Sequence, residues 1–172
     1  MVAVLAARHG GRLRRSKELA LADEVHVDGA GVALAFPQTY MNESGRAVSA
    51  LVRRYKIAAP TQVIVVHDEL DLPLGRLQVK EGGGLAGHNG LKSIRDHLHS
   101  TDFLRVRIGI GKPPGRRQGA DHVLRRPSRG EREELDIAVQ EAADAVELII
   151  TAGPAAAMNR YNQRPPGPED GA

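Results

Sequence analysis

The chain has 172 residues, 41% of them hydrophobic, so it can bury one core but is too short for two independent ones. It contains no Cys and no Trp, which excludes a disulfide framework, thiolate metal sites and a binding mode dominated by base stacking. The chain has 24 Lys and Arg against 21 Asp and Glu, a small excess of positive charge. Such an excess is compatible with a phosphate-rich partner, and equally with a basic protein that has no such partner. No apolar run reaches membrane-spanning length, so we expect a cytoplasmic protein with no membrane association.

The amino-terminal third predicts a helix, a hairpin and a second helix in that order. The first helix is short and ends before Gly10 and Gly11, and the hairpin turns at Asp28 to Gly31. Apolar residues then recur at helical spacing between Glu43 and Tyr55, with Ser44 as a candidate N-cap.

The remainder of the chain alternates strands with helices. Helices are predicted from Gly90 to His99, capped by Asn89, and from Glu131 to Ala152. The predicted strands are "QVIVVHD", "GRLQVK" and "FLRVRIGIG", the last with Arg105 and Arg107 on one face. This alternation predicts an α/β fold with a single domain over residues 1–162, in which helices flank a mixed, mostly parallel twisted sheet. Residues 163–172 are expected to form a disordered tail.

A cluster of titratable residues follows a hydrophobic run in the middle of the chain. Val63 to Val66 lead directly into His67, Asp68 and Glu69, so a buried strand brings these groups to its carboxyl end. The charge pattern alone leaves two interpretations open: solvated side chains at a strand end, which is the commoner case, or the acid–base groups of a site. Downstream, "GGGLAGHNG" precedes a helix amino terminus, where backbone N–H groups favour an anionic or carbonyl ligand, although this signal alone is weak.

Three segments together resemble the bacterial peptidyl-tRNA hydrolase family. They are "FPQTYMNESGRAV" (Phe36 to Val48), "VVHDELDLPLGRLQVKEGGGLAGHNGLKSI" (Val65 to Ile94) and "FLRVRIGIGKPPGR" (Phe103 to Arg116). Looser similarity through "AADAVELI" and "AAAMNRYN" extends the resemblance over nearly the whole chain. The resemblance implies a monomeric cytoplasmic enzyme that hydrolyses the ester between a peptide and the 3′-ribose of tRNA, recycling tRNA from aborted translation. It also implies no metal, no cofactor and no obligate protein partner.

Asp68 and Asn42 are the catalytic residues that the resemblance implies. The Asp at this position of the family orients a catalytic His, which acts as general base on the attacking water. The Asn42 amide can donate to a developing oxyanion and accept a hydrogen bond from water. On the same resemblance, His67 is interpreted as a packed or hydrogen-bonded neighbour, and Glu69 and Asp71 as loop supports.

The resemblance assigns the 3′ end of the substrate to two segments. Tyr40 is expected to contact the tRNA end and Met41 to wall the peptide groove, although such a pair without the motif is more often part of a core. Gly87, His88 and Asn89 are expected beside the terminal nucleotide and the ester. Asn89 can serve equally as a helix cap.

The glycine-rich loop departs from the family at one position. Ala86 stands where most members have Gly, and this narrows the backbone conformations that the loop can adopt. The shape of the loop in this chain is therefore an open question at the level of sequence.

Phosphate contacts are expected from Lys80, Arg76 and Arg107, which lie on strands flanking the predicted cleft. For any single one of them, ordinary surface basicity is the commoner explanation. The family commonly has a basic residue where this chain has Gln78, and Arg76 on the same strand face is a candidate substitute. The lid of the family corresponds to Lys112 to Gly119.

The amino end departs most from the family pattern. Members open with a strand, a Gly-Asn-Pro-Gly loop and a Thr-Arg-His-Asn motif that supplies the catalytic His, and none of these occurs in residues 1–172. Met1 to Ala7 matches the helix that follows them, so we expect the first strand to be missing and catalysis to be impaired. His9, in "ARHGG", echoes the motif but follows a helix and precedes a turn, which is the wrong context for the base.

Three hypotheses follow from the sequence. The first is a peptidyl-tRNA hydrolase whose sequence as given begins too late, and the second is a member of the same family that binds RNA without catalysis. The third takes "HD" as the signature of a metal-dependent phosphohydrolase. That class needs further His ligands on helices, whereas His67 and Asp68 end a strand.

Overall fold

The computed structural model describes residues 1–112 and 125–163. Its helices are α1 Val2–Arg8, α2 Ser44–Arg54, α3 Asn89–Leu98, α4 Arg129–Ala152 and α5 Pro154–Tyr161, with short 3₁₀ turns at Met41–Glu43 and Pro60–Gln62. Its strands are β1 Arg14–Arg15, β2 Ala20–Val27, β3 Ala30–Pro37, β4 Ile64–Glu69, β5 Leu77–Glu81 and β6 Leu104–Gly109. The elements predicted from periodicity are therefore present, with ends that differ by a few residues. Of the predicted lid, only Lys112 is among the described residues. Of the predicted tail, only residue 163 is among them.

The strands form two three-stranded sheets. The first has the order β1-β2-β3 with antiparallel pairing, and its hairpin turns at Asp28 and Gly29, which both adopt positive φ. A two-residue connection of this kind permits only antiparallel neighbours. The second sheet has the order β4-β6-β5, in which β4 pairs parallel and β5 antiparallel with β6. The α/β class is confirmed, but within the described residues the sheets are less parallel than expected.

The two faces of the β4-β6-β5 sheet differ in polarity. One face contributes Leu77, Val79 and Val106 to a core shared with helix α4. The opposite face packs α3 against Phe103 and Val65, and it also carries the polar residues of the three strands. These polar residues are His67, Glu69, Gln78, Lys80, Arg105 and Arg107. The alternation of the strands therefore places the polar groups of the sheet beneath α3 and the loop that leads into it.

Helices α2 and α3 cross in direct contact at Gly45. Its backbone N–H donates to Ser93 Oγ at 2.9 Å, and a Cβ placed on Gly45 would overlap the carbonyl group of Ser93 and lie 2.5 Å from His97 Nδ1. The first turn of α2 follows the turn that carries Asn42, so this close crossing positions Asn42 relative to α3. Among the described residues, no helix has the length and apolarity needed to span a membrane.

Replacing Gly45 by Ala is expected to lower the free energy of unfolding by about 1–3 kcal/mol, because the added methyl group must force two packed backbones apart. Urea denaturation measures the effect. Gly130→Ala is the matched control, since it also adds one methyl group to a helix but nothing lies within 4 Å of that methyl. We expect the control to be neutral or slightly stabilising. Equal losses in both variants would contradict a close crossing.

Candidate active site

The candidate site lies at the carboxyl end of β4, where three segments meet. Asp68 is the penultimate residue of that strand, and His88 immediately precedes α3. The 3₁₀ turn at Met41–Glu43 packs on α3 from the other side, since a Cβ placed on Gly90 would lie 2.6 Å from Met41 Sδ. The carboxyl ends of parallel strands are the usual position for ligand sites in α/β folds.

His88 connects the start of α3 with Asp68. Its Nδ1 accepts a hydrogen bond from the Leu91 N–H at 3.2 Å, while Nε2 lies 3.6 Å from Asp68 Oδ1. The cap of α3 is therefore His88, and the prediction that Asn89 caps this helix was wrong. Because Nδ1 is an acceptor here, the neutral ring carries its hydrogen on Nε2, facing the carboxylate. In this geometry Nδ1 of His88 is occupied by the Leu91 N–H, and Nε2 faces the Asp68 carboxylate at a distance longer than a hydrogen bond.

Asp68 is held as a carboxylate by its surroundings. The neighbouring His88 ring lowers the pKa of Asp68 below its ordinary value, although partial burial acts in the opposite direction. Asp68 is partly exposed, so one side of the carboxylate remains accessible from solvent. It can therefore orient a further hydrogen-bond donor, such as an imidazole, at this strand end.

His67 lies beneath this pair and is only 8% exposed. Its Nδ1 lies 2.8 Å from the carbonyl oxygen of Asp68, and its ring meets the His88 ring edge to face with the centroids 5.0 Å apart. Burial lowers the pKa of His67 from 6.5 to about 4, so the ring is neutral at neutral pH. A neutral ring donates from Nδ1 to that carbonyl oxygen, which leaves Nε2 buried without a partner in the described part of the chain.

Acid is expected to destabilise the fold through His67. Its pKa is lower when folded than when unfolded, so its stabilising contribution is complete above about pH 6.5 and is lost as the pH falls towards 4. Between pH 6.5 and pH 4, the free energy of unfolding should fall by about 3 kcal/mol through this group. Denaturant melts from pH 7 to pH 4 should therefore show a steeper decline for the wild type than for His67→Leu. Parallel declines would mean that His67 does not titrate in this range.

Tyr40, Met41 and Asn42 project from the turn before α2. Tyr40 is 82% exposed, and Met41 is also exposed although it packs beside the start of α3. The Ser44 hydroxyl donates to the Met41 carbonyl oxygen at 2.7 Å and so fixes the turn. An exposed aromatic ring and thioether that contribute little to the core are available to contact a ligand.

The glycine-rich loop adopts left-handed backbone conformations at several positions. Gly82, Gly83 and Gly87 have φ of 62°, 86° and 76°. Ala86 has φ of 49°, so the chain uses the left-handed region even where the family usually has Gly. This conformation costs an Ala roughly 1 kcal/mol more than a Gly. The loop thus reaches α3 with the backbone path that the glycines allow, at some cost in stability.

The predicted phosphate ligands are in different surroundings. Arg107 forms an ion pair with Glu69, with Nη2 and Oε2 2.9 Å apart, and it also donates to Gln78 Oε1. Arg76 donates to the carbonyl oxygen of Gln163 at 3.1 Å, which turns it towards the end of the described chain. Lys80 lies beside Gly83 and has no carboxylate partner among the described residues.

Two residues beneath the site, Glu69 and Arg105, have roles that were not predicted. Glu69 was interpreted as a loop support, and its Oε1 does accept the Asp71 N–H at 3.1 Å, but its other oxygen binds Arg107. Arg105 donates to the carbonyl oxygens of Gly82 and Gly84. The one available signal was the placement of both arginines on one face of β6, which did not show that this face points inward.

Fold and site together define an α/β protein with a carboxylate–imidazole pair at a strand end, below a glycine-rich loop flanked by cations. A sequence profile described as "Peptidyl-tRNA hydrolase" matches residues 1–168. The peptidyl-tRNA hydrolase of Nocardia farcinica is 51% identical over 92% of this chain and 82% of that protein. The one from Cutibacterium acnes is 55% identical over 79% and 68%.

A solved structure points to the same family. A crystal structure of peptidyl-tRNA hydrolase from Acinetobacter baumannii matches 96% of this chain and 84% of its own, with a TM-score of 0.87 at 36% identity. The chain belongs to the peptidyl-tRNA hydrolase family, and it is a hydrolase by that membership. This membership favours a peptidyl-tRNA hydrolase over the metal-dependent phosphohydrolase hypothesis. The described residues contain no group of three or more His, Asp or Glu side chains arranged to hold a metal ion.

Proposed function

We propose that this protein hydrolyses the ester bond of peptidyl-tRNA at the Asp68 strand end, as a cytoplasmic monomer without an obligate protein partner or a cofactor. The observation that carries the proposal is the contact of Asp68 with His88 at the start of α3, in a chain of this family. The test is release of N-acetyl-aminoacid from N-acetyl-aminoacyl-tRNA by a form of the protein that carries the family's Thr-Arg-His-Asn motif ahead of residue 1. Tight tRNA binding without any release would instead indicate a member that only binds RNA.

The reaction assigns separate tasks to Asp68 and Asn42. Water attacks the ester carbonyl, and the negative charge that develops on the carbonyl oxygen is stabilised by the Asn42 amide N–H. Asp68 orients an imidazole that takes the proton from the water and returns it to the departing 3′-hydroxyl of the ribose. His88 caps α3 through Nδ1, and its Nε2 is 3.6 Å from the Asp68 carboxylate, so we assign the base to a different imidazole. In the family pattern it belongs to the Thr-Arg-His-Asn motif.

The loop and the turn bind the ends of the ester. Gly87, His88 and Asn89 meet the terminal nucleotide, with the Asn89 amide free for substrate because His88 supplies the helix cap. Tyr40 contacts the tRNA end, and Met41 lines the groove for the peptide. Both side chains are exposed next to α3, which is the arrangement that such contacts require.

Lys80 is the cation best placed to meet a tRNA phosphate. The guanidinium of Arg107 is shared with Glu69 and Gln78, so a phosphate there must compete with a carboxylate. Arg76 is bonded to the backbone at Gln163. Lys80 lies close to the loop without such a partner, and a point charge suits a phosphate.

Lys80→Gln is expected to weaken tRNA binding to a similar degree for different tRNAs, and to reduce the slope of log affinity against log salt by about one. The reason is the loss of one phosphate contact and of the counterions that it releases. Filter binding at several salt concentrations measures the slope. Lys92→Gln on α3 is the matched control, because it also removes an exposed lysine. An unchanged slope for Lys80→Gln would remove Lys80 from the phosphate contacts.

A further inference from the structure

The most deeply buried charged side chain in the described chain is Arg105 on β6. Arg105 is only 2% exposed. It lies on the polar face of the sheet, where it pairs across the strands with Lys80 on β5 and Val65 on β4. An arginine remains protonated in proteins, so this position holds a buried positive charge. A buried charge persists only where polar groups compensate it.

Carbonyl groups of the glycine-rich loop supply that compensation. Arg105 Nη2 donates to the Gly82 carbonyl oxygen at 2.5 Å and Nη1 donates to the Gly84 carbonyl oxygen at 2.9 Å. The carboxylate of Glu69 is bonded to Arg107 instead, and Nε of Arg105 has no partner among the described residues. The guanidinium is therefore committed to the backbone of the loop.

These two bonds hold the loop at both sides of Gly83. On the side of the loop that follows β5, the Gly82 N–H donates to the Phe103 carbonyl oxygen at 3.3 Å, a long and weak bond. On the side that leads into α3, Leu85 is buried and the His88 N–H donates to the Leu85 carbonyl oxygen at 3.0 Å. Helix α3 is anchored separately, through Leu91 and Ile94 in the core. On the strand side of Leu85, the loop is thus held by the two bonds from Arg105 and by this weak backbone bond.

We propose that Arg105 is a positioning residue for substrate binding, which acts by holding the Gly82–Gly84 backbone so that His88 and Asn89 meet the 3′ end of the tRNA. This inference rests on the proposed function, which places those two residues against the substrate. Arg105 itself does not touch the phosphates, because it is buried beneath the loop. It differs in this respect from Lys80, whose side chain reaches the same loop from a partly exposed position.

The first arm of the test measures the loop without RNA. Arg105→Lys and Arg105→Met in residues 1–172 are compared with the wild type by hydrogen–deuterium exchange. We expect exchange of the peptide covering 82–91 to accelerate by about tenfold or more, while peptides of α2 and α4 keep their rates. Arg95→Met, which removes an exposed arginine from α3, is the control and should leave the loop unchanged.

The second arm measures binding of N-acetyl-aminoacyl-tRNA over several salt concentrations. The Arg105 variants are expected to bind about tenfold more weakly with an unchanged salt slope, since a positioning residue releases no counterions. Gly83→Ala provides a second route to the same defect, and an unchanged salt slope in this variant separates that defect from displacement of Lys80. It strains the loop at φ of 86°, where a Cβ would lie 2.9 Å from Lys80 Cε, and it leaves β6 intact. It should therefore reproduce the weaker binding even if an Arg105 variant fails to fold.

Three results would overturn the inference. Unchanged loop exchange and unchanged affinity in folded Arg105→Lys and Arg105→Met would show that the two bonds do not position the loop. A salt slope reduced by about one would identify Arg105 as a phosphate ligand instead. Weaker binding by the Arg105 variants with normal binding by Gly83→Ala would show that the effect does not pass through the loop. A separate variant, His88→Ala, tests the proposed function itself. If it binds N-acetyl-aminoacyl-tRNA as tightly as the wild type, the loop does not contact the substrate. Hydrogen–deuterium exchange of the Arg105 variants then still shows whether Arg105 positions the loop.

Discussion

Asp68→Asn is expected to lower the rate of ester release by roughly 10²–10⁴-fold, the contribution that a positioned general base makes. The reaction is measured with N-acetyl-aminoacyl-tRNA and a form of the protein that carries the family's amino-terminal strand and Thr-Arg-His-Asn motif ahead of residue 1. An Asn amide in place of the carboxylate still fills the space at the end of β4. It cannot stabilise the imidazolium that forms when the base takes a proton, so the loss should fall on kcat rather than KM.

The same assay compares the extended form with residues 1–172 alone. Residues 1–172 are expected to release the ester slowly or not at all, because a carboxylate cannot replace the imidazole that it orients. An ordinary Asp titrates near pKa ~3.9, and His88 lowers the pKa of Asp68 further, so Asp68 is a very weak base at neutral pH. Full turnover by residues 1–172 would show that another group supplies the base, and His88, which lies beside Asp68, would be the first residue to replace.

His9 is a poor candidate for that group on structural grounds. It follows α1, and its Nε2 lies 3.0 Å from Glu147 Oε1 on α4. This contact joins two helices outside the candidate site, which supports the interpretation that "ARHGG" is not the catalytic motif. Replacing His88 is more informative, because it changes both the cap of α3 and the contact with Asp68.

Periodicity and local motifs predicted most of the fold. The hydrophobic run before His67 predicted β4 and placed Asp68 at its carboxyl end, and both are present. The alternation in β6 correctly placed Arg105 and Arg107 on one face. These predictions succeeded because they depend on neighbours in sequence, where side-chain direction follows directly from the strand or helix period.

Contacts between distant residues were not predictable in the same way. Glu69 and Arg107 are 38 positions apart, and nothing in the sequence indicates that they meet. Arg105 was assigned with Arg107 to one strand face, yet its burial runs against the usual exposure of arginine. The cap of α3 was assigned to Asn89 because Asn is a frequent N-cap, whereas the structure uses the ring nitrogen of His88 one residue earlier.

Breaking the Glu69–Arg107 pair is expected to cause a large loss of stability. Glu69 is 7% exposed, and its Oε2 accepts a hydrogen bond from Arg107 Nε at 3.2 Å and lies 2.9 Å from Arg107 Nη2. Burial acts to raise the pKa of Glu69, but the hydrogen bonds from Arg107 and the Asp71 N–H outweigh it and keep that pKa below its ordinary value. The carboxylate is therefore the charged partner in a pair that is mostly shielded from water.

Glu69→Ala should lower the free energy of unfolding by about 3 kcal/mol, near the lower end of the range for a buried pair, because Arg107 keeps some contact with solvent. The loss arises from leaving the Arg107 charge uncompensated beside Arg105 and Lys80, and from freeing the turn at Asp71. Denaturant melts compare this variant with Glu69→Gln, which keeps an oxygen acceptor without the charge, and with the double variant Glu69→Ala/Arg107→Met. We expect the double variant to be more stable than Glu69→Ala, since it removes the unpaired cation as well. If the double variant instead loses the sum of the unfolding free energies lost in Glu69→Ala and in Arg107→Met, the two residues do not act as a pair. Arg107 would then be free to bind phosphate in the wild type.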